Sequence, residues 1–202
     1  MKKVIVLVAC MILLAASMSH ATSFTTTFVL GTQYSGYGGG SIDASTLDGK
    51  NLAWDYCMDY PRHINAGGSY IADVNTDGIL YGASVQNVSK IAYLLHEYAQ
   101  NGRGTAQDML QTAIWEELGY WTFNQLSSGA QALVTEADAQ NTNYVSDFYW
   151  ISPYYTDANG RREYVQAQVG PAPVPEPGTM MLLGMGMLGL AVYGKRKQNS
   201  QA

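Results

Sequence analysis

The two ends of the chain constrain its fold most, because both are apolar segments typical of export rather than of a globular core. At the N-terminus, Lys2 and Lys3 precede an apolar stretch over residues 4–16, and a small-residue cleavage signal ends at Ala21. This order of charge, apolar run and small residues is typical of a secretory signal peptide. We therefore expect residues 1–21 to be removed and the rest of the chain to fold outside the cytoplasm.

The C-terminus carries a second segment of this kind. Pro175, Glu176 and Pro177 precede an apolar run over residues 179–193, and a basic cluster follows at residues 195–197. The run has 15 residues, fewer than the roughly 20 that span a membrane as a relaxed helix, and its glycines disfavour a core helix. We expect the basic cluster to remain on the cytoplasmic side.

These C-terminal features resemble the PEP-CTERM sorting signal of Gram-negative bacteria. The resemblance implies processing by an exosortase, a membrane transpeptidase-like enzyme, while the apolar segment enters the membrane transiently as a transmembrane helix. It also implies export to the cell envelope surface or the extracellular matrix. An ordinary C-terminal membrane anchor is the alternative, and it too would place the domain outside the cytoplasm.

Between these ends, residues 22–170 are long enough for one domain with its own core. A Pro-rich linker follows at residues 171–178, and the sorting helix and basic tail occupy residues 179–202. Without the two ends, the chain has 15 acidic and 6 basic side chains, a formal charge of −9. This charge argues against nucleic acid as a partner, since no basic stripe is present to neutralise phosphates.

No motif indicates a cofactor or a metal ion. The sequence has no phosphate-binding glycine loop and no Cys/His spacing typical of zinc. The stretch from Asp73 to Gly78 imitates the start of a calcium loop, but the twelfth position is Ser84 rather than a bidentate glutamate. We therefore interpret Asp77-Gly78 as the turn of a β-hairpin.

The spacing of apolar residues changes twice along the domain. Stretches rich in β-branched and aromatic residues predict strands, whereas apolar residues repeated every three or four positions predict helices. The predicted strands cover residues 23–34, 52–60, 69–82, 143–151 and 162–169, and the predicted helices cover about residues 84–100, 106–118 and 127–140. The fold class is therefore α+β, a sandwich or barrel-like β scaffold with an inserted helical subdomain of about three helices at residues 84–141.

Cys57 is the only cysteine that remains once the signal peptide is removed, because Cys10 lies within that peptide. A cysteine in an oxidising compartment normally has a disulfide partner, and exported proteins tend to avoid idle thiols because these oxidise. The remaining choices are an intermolecular disulfide, a reactive nucleophile, a buried inert thiol, or a bond to an atom other than sulfur.

Gln111 offers such an atom. It lies on the second predicted helix, beside an apolar face, and Trp115 is placed one turn further along on the same side. An amide in this position is shielded from bulk water. If the strand with Cys57 packs against this helix, the thiol can attack the amide carbon and expel ammonia. The product would be an internal thioester.

The residues around both positions resemble the paired motifs of bacterial thioester domains, best known from Gram-positive adhesins. The two motifs are Tyr56-Cys57-Met58-Asp59 and Leu110-Gln111-Thr112-Ala113-Ile114. The resemblance covers roughly residues 50–155 and implies that Cys57 and Gln111 form the thioester. An exosortase-type tail suggests a different cellular setting, so a role in host adhesion is not carried over.

A thioester reacts with amines, and a lysine amine that reached it would form an isopeptide bond and release the Cys57 thiolate. We expect this single-turnover attachment to a surface or matrix protein rather than enzymatic catalysis. Tyr56, Asp59 and Trp115 are candidates for shielding or assisting the bond, and His63 is a candidate base.

Three alternatives remain. The thioester could act only as a stabilising staple. The chain could be a structural matrix protein that binds polysaccharide non-covalently through its tyrosine-rich surface. It could also be a hydrolase that pairs Cys57 with His63 or His96, although no nucleophile signature surrounds the cysteine.

Overall fold

The computed structural model describes residues 23–31, 42, 45–99, 105–173 and 183–191. The predicted signal peptide, the residues Pro175, Glu176 and Pro177, and the basic tail lie outside these residues. The chain divides into two compact units, Met1–Ala172 and Pro173–Ala202. In the second unit, residues 183–191 are helical.

The first unit contains ten strands and three α-helices among its described residues. The strands are β1 (Phe24–Val29), β2 (Thr46–Leu47), β3 (Lys50–Asn51), β4 (Tyr56–Cys57), β5 (Ser69–Asn75), β6 (Ile79–Leu80), β7 (Ala83–Ser84), β8 (Phe148–Thr156), β9 (Arg162–Tyr164) and β10 (Gln168–Pro171). The helices are α1 (Val88–Tyr98), α2 (Thr105–Glu117) and α3 (Ser128–Asp138), with short 3₁₀ helices at Phe123–Gln125 and Val145–Asp147.

Eight strands form one strongly curled antiparallel sheet, a half-barrel. Its order is β3-β2-β1-β5-β8-β10-β4, and β9 pairs with β8 beside this path. The three helices lie between β7 and β8 in the chain. The prediction of an α+β fold, with helices inserted into a β-rich scaffold, is confirmed.

Two apolar clusters hold this architecture together. The larger cluster joins the helices to one side of the sheet and includes Leu94, Leu110, Ile114 and Trp150, each fully buried. Leu110 and Ile114 are four residues apart and lie on the same face of α2, and the cluster also contains residues of α1, α3 and the sheet. The smaller cluster packs elsewhere on the sheet and includes Phe28, Leu47, Ala72 and Ile151.

The predicted hairpin around Asp77-Gly78 is wrong in its pairing. Gly78 does adopt a positive φ of 74°, but β5 and β6 do not pair with each other. Both edges of β5 are already occupied, by β1 and by β8. The chain therefore leaves the sheet at Gly78, and β6 pairs with β7 across the turn at Tyr81. The side-chain oxygen of Asn75 stabilises the corner by accepting the backbone N–H groups of Asp77 and Ile79.

The predicted strand over residues 52–60 is much shorter than expected. Only Tyr56 and Cys57 form a strand there, and β4 pairs with β10 at the end of the sheet. The other edge of β4 has no strand partner among the described strands. Cys57 therefore lies on an edge of the sheet that is open to a side chain from another element.

Candidate functional site

A side chain of helix α2 occupies the open edge of β4. The backbone N–H of Cys57 donates to Oε1 of Gln111 at 2.9 Å, and Nε2 of Gln111 donates to the carbonyl oxygen of Cys57 at 2.7 Å. The carboxamide thus pairs with Cys57 as the backbone of a neighbouring strand would. Both residues are buried, with Cys57 0% and Gln111 1% exposed. Folding brings together two residues that are 54 positions apart.

The thiol of Cys57 lies in an environment that keeps it protonated. Burial raises the pKa of this thiol to about 12. Hydrogen bonds with the backbone of Asp59 and the side chain of Trp115 lower it, and the negative charges of Asp59 and Asp55 raise it. The thiol donates to the backbone carbonyl of Asp59, with 3.6 Å between sulfur and oxygen. At neutral pH the sulfur is therefore a neutral group, unlike the thiolate of a cysteine hydrolase.

The contacts of the Gln111 carboxamide favour attack on its carbon. The N–H of Cys57 polarises the carbonyl oxygen, and the same N–H can stabilise the negative charge that develops on this oxygen when a nucleophile adds. The donor belongs to the rigid backbone of β4, so it needs no rearrangement at the moment of reaction. The arrangement has the parts of an oxyanion site for acyl transfer.

A second pair of side chains fixes β4 against α2. The hydroxyl of Tyr56 donates to Oε1 of Gln107, and both residues are buried. Gln107 precedes Gln111 by one helical turn, so two neighbouring residues of the strand hold two successive turns of the helix. Tyr56 therefore has a positioning role in this structure.

Three aromatic rings cover the site. Tyr60 lies edge-on against Trp115, with 4.8 Å between ring centroids, and Trp121 lies 6.1 Å from Tyr60 and 6.0 Å from Trp115. Trp115 is 2% exposed, whereas Tyr60 is 47% exposed. Tyr60 thus lies on the solvent side of this three-ring cluster and Trp115 on its buried side.

Asp59 anchors a polar network beside the sulfur. Its Oδ2 accepts from Arg62 and from the hydroxyl of Tyr81, both at 2.8 Å, and its Oδ1 accepts from the hydroxyl of Tyr120 at 3.3 Å. The carboxylate is buried, and the Arg62 side chain is half exposed. The sequence motif included Asp59, but it gave no sign of the two tyrosines. They lie 22 and 61 residues further along the chain.

The contacts of the two histidines considered as partners of Cys57 are with other residues. His63 is exposed in the loop after β4, where its backbone carbonyl accepts the N–H of Gln166 at 3.5 Å. His96 stacks on Tyr144 with 3.7 Å between ring centroids and lies 3.5 Å from a carboxylate oxygen of Asp147. The structure brings Tyr56, Asp59 and Trp115 to the Cys57–Gln111 pair. In the described part of the chain, no hydrogen bond or ring contact joins the side chain of His63 or His96 to that pair.

The calcium-like stretch lies at a shallow cleft on the sheet. Asp73 is engaged by Arg162 at 2.7 Å and by Tyr164 at 3.1 Å, and Asn75 is used in the corner described above. The cleft has a volume of about 370 Å³. Its lining includes aromatic side chains such as Phe24 and oxygen-bearing side chains such as Asp77. No group of three or more His, Cys, Asp or Glu residues in the described chain is arranged to hold a metal ion.

A buried carboxyl group lies at the end of α2. Glu117 is 2% exposed, and Lys90 of α1 approaches it at 3.6 Å while also forming an ion pair with Asp138 of α3. Burial raises the pKa of Glu117 to about 7, and the charge of Lys90 opposes this rise. This cluster joins the three helices near their ends.

Comparison with protein families places a PEP-CTERM protein-sorting motif at residues 173–197. Comparison with curated proteins and with solved structures finds no match. The motif implies an exported protein that an exosortase sorts to the envelope or surface of a Gram-negative bacterium. In the part of the chain that the structure describes, no helix has the length and apolar character needed to cross a membrane.

Proposed function

We propose that the exported domain carries an internal thioester between Cys57 and Gln111 and uses it to attach covalently to amine groups on a surface or matrix protein. The observation that supports this function is the buried, doubly hydrogen-bonded contact between the Cys57 backbone and the Gln111 carboxamide. The sulfur and the amide carbon then belong to adjacent groups from which water is excluded.

The bond forms by acyl transfer within the protein. The sulfur of Cys57 adds to the carboxamide carbon of Gln111, the thiol proton moves to the amide nitrogen, and the C–N bond breaks. Ammonia leaves and a C–S bond remains, so no oxidant or external cofactor is consumed. The N–H of Cys57 stabilises the oxyanion that forms during addition.

In the attachment step, the sulfur of Cys57 is the leaving group and the target amine is the nucleophile. A lysine amine adds to the thioester carbon, the C–S bond breaks, and an amide bond to the side chain of residue 111 remains while Cys57 recovers its thiol. Each molecule reacts once, so the protein is a single-use coupling reagent rather than an enzyme. The three-ring cluster of Tyr60, Trp115 and Trp121 slows the competing reaction with water by shielding the thioester.

The thioester also closes a loop of 54 residues. By the chain-entropy argument used for disulfides, such a closure constrains the unfolded chain by about 4 kcal/mol. A staple without a target is therefore a coherent simpler function of the same bond. Covalent attachment is favoured because the reactive group lies below a half-exposed tyrosine, where a partner can reach it after a small movement.

The sorting motif is consistent with this role. Exosortase handling delivers the domain to a surface on which a stable link is useful, and the apolar segment contacts the membrane only during sorting. Lysine-bearing proteins of the envelope or the matrix are the partners that the chemistry selects.

Mass spectrometry of the exported protein, purified without its signal peptide, tests the proposal. The Cys57–Gln111 form should weigh about 17 Da less than the sum of its residues because one ammonia is lost. Methylamine should then add about 31 Da and leave the thiol alkylatable after unfolding. Cys57→Ala is the matched control and should show neither change. A fresh wild-type sample at full mass that does not react with methylamine would refute the thioester.

Non-covalent binding of polysaccharide is the second candidate function, and the cleft at Asp73 favours it. A cleft that combines aromatic rings with carboxylate and amide groups suits the apolar faces and hydroxyls of sugars. In that case Cys57→Ala should attach to the matrix as well as the wild type does, whereas covalent attachment predicts its loss.

A further inference from the structure

The two carboxylate oxygens of Asp59 have unequal environments. Oδ2 accepts from Arg62 and Tyr81 at 2.8 Å each, whereas the contact of Oδ1 with the Tyr120 hydroxyl is longer, at 3.3 Å. Tyr120 is 41% exposed. Oδ1 is therefore the oxygen of Asp59 that an incoming group can reach, by displacing one weakly held hydroxyl at the surface.

The charges around Cys57 favour a cation at this point. Asp55 and Asp59 are both buried, and their charges act on the sulfur in the same direction. Arg62 compensates Asp59 from the side of Oδ2. The domain as a whole carries a formal charge of −9, so it attracts protonated amines and repels carboxylates before contact.

Attack on a thioester requires a neutral amine, whereas a lysine side chain in water is a cation. A site that receives lysine must therefore bind the ammonium group and also remove one proton. A carboxylate placed beside the electrophile performs both tasks.

We propose that Asp59 is the receiving group for the target amine, binding a protonated primary amine through Oδ1 and accepting its proton before the amine attacks the thioester. This inference rests on the proposed function. The ammonium transfers one proton to Asp59, the neutral nitrogen adds to the thioester carbon, and the C–S bond breaks. The second nitrogen proton goes to the sulfur, which leaves as the Cys57 thiol, and Asp59 then releases its proton to solvent.

The environment of the sulfur makes the second proton transfer necessary. Because burial raises the pKa of the Cys57 thiol, a bare thiolate is a poor leaving group here. A nucleophile that arrives with protons to donate therefore reacts better than one without them. The selected substrate class is a cationic primary amine, such as a lysine side chain, rather than a hydroxyl or an amino acid with a nearby carboxylate.

The test compares two amines on wild-type protein and on Asp59→Asn. Methylamine is protonated at neutral pH and needs the carboxylate, whereas hydroxylamine is largely unprotonated and does not. We expect Asp59→Asn to slow thioester opening by methylamine at least about tenfold, and opening by hydroxylamine less than about threefold. Growth of the methylamine adduct, about 31 Da above the mass of the thioester form, is followed over time by intact mass on the exported protein.

Glu136→Gln is the matched control. It removes the same charge from a second carboxylate, one on α3 that accepts from the hydroxyls of Tyr93 and Tyr98. We expect both amines to react with this variant at wild-type rates. Equal slowing of methylamine by the two substitutions would overturn the proposal, as would equal slowing of both amines in Asp59→Asn.

A wild-type measurement covers the case in which Asp59→Asn fails to form the bond. Glycine has an amine of similar basicity but carries a carboxylate, so it should open the wild-type thioester at least about tenfold more slowly than methylamine. Equal rates would overturn the receiving role of Asp59. Failure of the proposed function itself gives a different result. Untreated wild-type protein would then show no deficit of about 17 Da in an intact-mass measurement accurate to about 1 Da.

Discussion

The ring of Tyr60 lies edge-on against the indole of Trp115, with 4.8 Å between the two centroids. The indole is buried beside the sulfur, whereas Tyr60 is half exposed. Tyr60 therefore lies on the solvent side of Trp115, and its removal should change the lifetime of the proposed thioester more than its formation.

Tyr60→Ala should raise the rate of thioester hydrolysis by about three- to tenfold, because water reaches the carbonyl carbon more often once the ring is absent. The measurement is the growth, over hours at neutral pH, of the form that gains about 18 Da when water adds. Tyr155→Ala is the control, since Tyr155 is also exposed and lies on β8. An unchanged hydrolysis rate in Tyr60→Ala would show that the shielding comes from Trp115 and Trp121 without Tyr60.

Tyr56→Phe should lower the free energy of unfolding by about 1–2 kcal/mol, because it leaves the buried Oε1 of Gln107 without its hydroxyl donor. It should also lower the fraction of molecules that carry the thioester, since β4 is then held less firmly against α2. Urea unfolding and intact mass measure the two effects.

The control for this change is Tyr149→Phe. The hydroxyl of Tyr149 makes no hydrogen bond with the described residues, and its ring contact with Phe24 is retained in the variant. We expect a change in unfolding free energy of less than about 0.5 kcal/mol there. A similar loss in both variants would mean that the Tyr56–Gln107 contact contributes nothing specific.

Gln111→Glu should leave Cys57 as a buried and unreactive thiol. Because burial raises the pKa of this thiol to about 12, its thiolate is scarce at neutral pH. Iodoacetamide should therefore react at least about 100-fold more slowly with the native variant than with the same variant in urea. Fast alkylation of the native protein would favour the alternative in which Cys57 is the nucleophile of a hydrolase.

The buried carboxyl of Glu117 should make stability depend on pH. Burial raises its pKa to about 7, above the value of an unfolded chain, so the folded protein binds this proton more tightly. Its contribution to stability is fully present below about pH 4.5 and is lost as the pH rises through about 7. Wild-type protein should lose about 3 kcal/mol between these limits through this group.

Glu117→Gln should remove that part of the pH dependence, and Lys90→Met should enlarge it because the opposing charge is lost. Urea midpoints measured between pH 5 and pH 8 check both variants. If Glu117→Gln and wild type show parallel curves over this range, Glu117 is ionised throughout and the assignment is wrong.

The elements of this fold were largely predictable because local spacing determines them. The three helices begin and end within about four residues of their predicted limits, since apolar residues at three- and four-residue spacing decide which face is buried. Pairing was less predictable. Nothing near Asp77 reveals that both edges of β5 are occupied by strands that are distant in the sequence.

The same distinction applies to the site. Cys57 and Gln111 could be proposed together because each lies in a recognisable short motif. Tyr81 could not, because its role comes from the left-handed conformation of the β6–β7 turn, with a φ of 55°. This turn carries its hydroxyl to Asp59 and to the backbone of Val165 and Ala167, the latter two more than 80 residues away.

The position of β10 has a mechanical consequence. This strand pairs with β8 on one side and with β4 on the other, and the chain leaves it directly toward the sorting motif. A molecule held at its C-terminal end and coupled to a partner through residue 111 would bear tension between those two points. Pulling β10 out of the domain would require separating two hydrogen-bonded ladders at once, so this route of unfolding resists load better than the detachment of an edge strand would.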